Sequence, residues 1–157
     1  MHHLSNYYQQ MEEHAQKAVD ALYDSIPDEY KFNEIKVLGL VMRSVRGKAH
    51  PQYVQEAVRT KIKGTLRDMA IRILNNCIRE RDGLLGMSEA QGWHYVKWNM
   101  MEALREGTKS SLPLDALMTV VDEAIAECIK ANQGDRHEVH SVDARSGSQV
   151  GDGPLPS

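Results

Sequence analysis

Apolar side chains recur along this chain at spacings of three and four, which is the period of a helix with one buried face. Tyr8, Met11, Ala15, Ala18, Leu22 and Ile26 form the first stripe and predict a helix over residues 5–25. Pro27 interrupts that pattern. Asn33 then offers a side-chain cap for a second helix whose stripe is Ile35, Leu38, Met42 and Val45, ending at Gly47. Gly47 is expected to take the left-handed conformation that commonly closes a helix. Pro51 suits the first turn of a third helix, where its missing N–H costs nothing. A tight helix-turn-helix hairpin is the expected result.

Val54, Ala57, Val58 and Ile62 face inward from that third helix. Gly64 with Thr65 either separates it from a fourth bearing Leu66, Met69, Ala70, Ile73 and Cys77, or is tolerated inside one long helix. After the turn RDGLLG, the run from Ser88 to Gln91 matches a capping box, in which a Ser hydroxyl and a Gln side chain reciprocally satisfy free N–H groups. A fifth helix is expected from there through Trp93, Val96, Met100 and Leu104 to Gly107. A sixth begins near Pro113 with Leu114, Leu117, Val121, Ile125 and Cys128 inward. The period fades after Asn132, and residues 134–157 are rich in Gly, Ser and Asp without an aromatic ring, the signature of a disordered tail. The pattern therefore predicts an all-α fold, a compact bundle of about six helices over residues 1–133.

Composition fits that class and removes several others. One Phe and five Pro in 157 residues argue against an all-β protein, and no apolar run approaches the ~20 residues of a membrane span. Without a basic stretch leading into an apolar one at the N-terminus, the expected location is cytoplasmic. Cys77 and Cys128 stand apart from one another and from any CxxC, so they read as buried free thiols in a reducing compartment.

Charge alters the picture. Residues 1–34 hold two Lys and Arg against seven Asp and Glu, and residues 68–157 hold nine against fourteen. Between them, residues 35–67 hold eight against one, so a protein of formal net charge −3 contains a segment of +7. The candidate anion-binding residues are Arg43, Arg46, Lys48, Arg59, Lys61 and Lys63, with Gly47 allowing close backbone approach. These cations suit phosphate binding, and they equally suit a solvated face paired with the acidic first and last helices.

Signatures of catalysis are sparse. The chain has no GxSxG elbow, no Gly-rich phosphate loop and no HExxH, and Glu12 with Glu13 reads as a solvated helix face. His137 and His140 have ligand-like spacing but no third ligand in view, while His14 and His94 stand without a partnering motif. Trp93, Tyr95 and Trp98 bring to mind a base-stacking platform, but Trp93 and Trp98 diverge by about 140° on a helix. One then belongs in the core and one near an interface. No cofactor or metal is expected.

The run Gly39-Leu-Val-Met42-Arg43, then Arg46-Gly47-Lys48-Ala49, then Pro51, Val54, Glu56, Arg59 and Lys61 resembles a known module. It is similar to the C-terminal subdomain shared by the B subunit of the tRNA-dependent amidotransferase and the small YqeY-type proteins, the GatB/YqeY family. There a G-x-V-M helix leads through K-G-K-A-(D/N) into a second helix. The resemblance covers residues 39–62 of the chain and implies a small helical appendage that engages tRNA, with catalysis left to other domains. His50 departs from the family's Asp or Asn, the motif lies mid-chain, and the helices after Gly64 have no counterpart. Two readings follow. One is a noncatalytic RNA-binding accessory protein that contacts structured RNA, tRNA among the candidates. The other is a helical interaction regulator of phage or mobile-element type, whose basic face docks an acidic protein and whose acidic helices form a homo-oligomer.

Overall fold

The computed structural model describes the backbone of residues 2–46 and 48–146 and the side chains of residues 6–46 and 48–133. Among the described residues five α-helices follow one another: α1 (His2–Tyr23), α2 (Glu34–Val45), α3 (Pro51–Asp82), α4 (Glu89–Gly107) and α5 (Leu114–Ser146), with a short 3₁₀ turn at Asp28–Tyr30 between α1 and α2. No strand occurs among the described residues. The chain divides into two compact units, Met1–Val121 and Asp122–Ser157. The second contains the part of α5 from Asp122 to Ser146.

Helix α3 is the spine of the first unit. Its 32 residues rise about 1.5 Å each, giving a rod of roughly 48 Å. The N-terminal half packs with α1 and α2, burying Ala15, Val19, Tyr23, Val37, Val41, Val45, Val54 and Val58 in one cluster. The C-terminal half packs against α4, where Leu66, Ala70, Leu74 and Cys77 are buried on one helix and Val96, Met100 and Leu104 on the other. Of the two alternatives at Gly64, the residue lies inside one long helix, so the described residues hold five helices where about six were expected. A Gly inside a helix costs only about 1 kcal/mol relative to Ala. Packing of the apolar residues on either side outweighs that cost.

Several local signals act as read. Asn33 caps α2, its Oδ1 accepting from the Lys36 N–H at 3.1 Å. Ser88 and Gln91 form the capping box of α4, at 3.2 Å and 3.0 Å. Pro51 occupies the first turn of α3, whose cap is the imidazole of His50 accepting from Gln52 N–H at 3.2 Å.

Other expectations are corrected. On α2 the core stripe is Val37, Val41 and Val45, with Leu38 and Met42 at its flanks and Ile35 left 83% exposed. Two adjacent stripes competed for the core, and the three compact valines sit between α1 and α3. The first helix ends at Tyr23, where the phenol donates a 2.6 Å hydrogen bond to the Lys31 carbonyl and fastens the helix end to the 3₁₀ turn. Burial raises that phenol's pKa. Tyr8 and Leu114 are exposed instead of inward. The helical backbone of α5 continues through Ser146, beyond the expected start of a disordered tail at Gly134. The remainder of that expectation, residues 147–157, lies outside the described residues.

Candidate nucleic-acid interface

The connection between α2 and α3 begins with an unusual backbone. Arg46, the C-cap of α2, lies in the left-handed region at φ 51° and ψ 43°, and its N–H reaches the Met42 carbonyl at 3.1 Å. Arg46 is thus left-handed, and Gly47, for which that conformation is expected, lies outside the described residues. Lys48 N–H then bonds the Val45 carbonyl at 3.0 Å, and buried Ala49 anchors the connection to the core.

This anchoring aims three cations outward. Arg43 stands in the last turn of α2, where it also complements the negative end of the helix dipole. Arg43, Arg46 and Lys48 are all exposed, and none forms an ion pair among the described residues.

The cations of α3 divide differently. Arg59 Nε lies 3.0 Å from Glu34 Oε1, and Glu56 stands 4.0 Å from the same guanidinium. Glu34 holds the Arg59 pKa above its ordinary value. Lys61 turns toward α1, with its ammonium 3.2 Å from Asp20 Oδ1 and 5.6 Å from the centre of the Tyr23 ring. Lys63 is exposed and shows no ion pair among the described residues. At about 100° per residue, Arg59 and Lys63 share a face of α3, while Lys61 lies on the side toward the core. The six cations read from the sequence therefore separate into three at the connection, two on the outer face of α3, and one at the α1–α3 contact.

Sequence reading missed the aromatic residues beside the connection. His50 and Tyr53 rings meet edge to face at 5.6 Å, Tyr53 lies 6.4 Å from Tyr8, and Tyr8 lies 5.7 Å from Tyr7. The spacing of Tyr8 to Met11 and Ala15 fits the core stripe. Its partner Tyr53 is 45 positions away, so only the fold brings them together.

The aromatic residues of α4 sit elsewhere. Trp93 is half-buried beneath the Arg81 guanidinium, 4.8 Å from its ring centre, whereas Trp98 is 64% exposed. Between α3 and α4 an open groove of about 350 Å³ is lined in part by Asn76, Cys77, Glu80, Asn99, Glu102 and Glu106. Its three carboxylates oppose binding of a phosphate. Burial, and then Glu80, push the Cys77 thiol up, away from the thiolate that nucleophilic chemistry requires.

Among the described residues no cluster of three or more His, Cys, Asp or Glu could hold a metal ion, and His137 and His140 lie beyond the described side chains. No helix among those residues is long and apolar enough to cross a membrane. The chain matches no family profile, no curated protein and no solved structure.

Proposed function

We propose that the protein is a noncatalytic RNA-binding accessory factor whose contact surface is the α2–α3 connection. The observation that carries this reading is the group Arg43, Arg46 and Lys48, projected from a backbone anchored by Ala49 and without ion-pair partners among the described residues. An exposed cation that is not neutralised within its own protein can release counterions from a phosphate chain, which is the main source of sequence-independent affinity. Lys63 extends the surface along α3. Arg59 and Lys61 contribute less, since Glu34 and Asp20 already hold them. The resemblance of residues 39–62 to the amidotransferase tail supports RNA, tRNA included, as the anionic partner.

The test is direct binding of the intact chain to a transfer RNA and to unrelated RNAs of equal length. Similar affinities for all, weakened together when Arg43, Arg46 and Lys48 are replaced by Gln, support phosphate recognition. Absence of binding at low salt overturns it.

A second reading, an interaction protein, draws on the exposed Trp98. Large aromatics are frequent anchors of protein interfaces. Under that reading Trp98→Ala abolishes self-association, and loss of the three cations abolishes capture of an acidic protein partner while RNA binding stays weak and nonspecific.

A further inference from the structure

Four aromatic rings continue the cationic surface: His50, Tyr53, Tyr8 and Tyr7, in that order away from the connection. Tyr7 and Tyr8 leave 55% and 47% of their surface in water. Tyr53 occupies the first turn of α3 and is half-buried. His50 is the cap immediately before that helix, two residues after Lys48 and four after Arg46, so ring string and cations meet at the connection. The imidazole Nδ1 accepts the Gln52 N–H. In the neutral ring the proton therefore resides on Nε2, which faces no partner among the described residues and is available as a donor.

We infer that this string stacks unpaired bases, so that the preferred ligand is a single-stranded stretch of RNA with its phosphates along Arg43, Arg46 and Lys48. The inference rests on the RNA reading above and narrows its substrate. A duplex presents phosphates to the same cations but keeps its bases stacked on each other, whereas a single strand exposes a π-face at every base. A ring string that starts at His50, two residues after Lys48, and ends at the exposed Tyr8 and Tyr7 matches the combination of basic track and stacking surface that single-strand binders use. Tyr8 and Tyr53, whose planes are inclined by only 31°, offer the two most nearly parallel faces of the string. Glu12 lies near Tyr53 and sets an acidic limit to the surface on the α1 side. The basic end is the connection, and a bound strand runs from there onto the rings.

The experiment compares a labelled 12-nucleotide oligouridine with a 12-base-pair RNA duplex, by fluorescence anisotropy at one salt concentration, using the full chain. The expected result is tighter binding of oligouridine. Tyr8→Leu, at an exposed position, weakens it about 5- to 100-fold and leaves duplex affinity unchanged. Tyr8→Phe retains binding, because the ring is kept. Tyr53→Leu and Tyr53→Phe repeat the comparison at the second ring, with the melting temperature checking that each variant folds. Equal affinity for both probes, unmoved by Tyr8→Leu, overturns base stacking while leaving phosphate binding in place. Failure of both probes to bind removes the RNA reading itself.

Discussion

Lys61, one of the cations read from the sequence as a binding residue, forms an ion pair of 3.2 Å with Asp20 that joins α3 to α1. The Tyr23 ring beside the same ammonium adds a cation–π contact at 5.6 Å. Replacement of Lys61 by Gln should therefore lower stability modestly, by about 0.2–1 kcal/mol for a partly exposed pair. RNA affinity should stay close to that of the parent. A double-mutant cycle with Asp20→Asn, read by urea denaturation, isolates the pair, and additive effects would show no coupling between them.

Arg46 separates stability from binding. Its left-handed backbone is strained by a side chain, and Gly relieves that strain at the expense of a more flexible unfolded chain. The net expectation for Arg46→Gly is a gain of about 0.5–1 kcal/mol in stability together with weaker RNA binding. A variant that loses both would show that the arginine has a structural task in the folded chain.

Gly64 tests the continuity of α3. A Cβ built there meets nothing within 4 Å, and the position lies in a helix interior. Gly64→Ala should raise stability by about 0.5–1 kcal/mol and increase helical circular dichroism slightly. A loss of stability would mean that the helix is interrupted at this residue.

Cys77 should resist modification. It is buried, with its thiol pushed up by desolvation and by Glu80. Reaction of this cysteine with a disulfide reagent should be slow in the native protein and fast after denaturation, measured by mass spectrometry of the labelled peptide. Rapid native labelling would show that the α3–α4 contact opens readily.

The parts of the fold that could be read in advance are those whose causes are local. Asn33, Pro51 and the Ser88–Gln91 capping box each act within three residues of themselves, so their residue types predict helix starts directly. The phase of α2 is different, because Ile35 and Val37 both belong to acceptable stripes and only packing against α1 and α3 selects the valines. Gly64 poses the same difficulty, since a local penalty of about 1 kcal/mol cannot be weighed without the distant contacts that offset it. The candidate site was legible as a surplus of charge, yet its division was not. Glu34 neutralises Arg59 from 25 positions away and Asp20 holds Lys61 from 41 away, and such pairings arise only when helices pack. Tyr8 and Tyr53 meet for the same reason.

The central claim is that Arg43, Arg46 and Lys48 bind RNA through its phosphates, and the salt dependence of binding tests it most directly. Each phosphate contact contributes a slope of about 0.7 to 0.9 in the logarithm of affinity against the logarithm of salt concentration. The triple variant with Gln at these positions should fold normally, bind several RNAs more weakly by a similar factor, and show a slope shallower by roughly two or more, one such contribution per cation. An unchanged affinity and an unchanged slope in a folded triple variant would contradict the account.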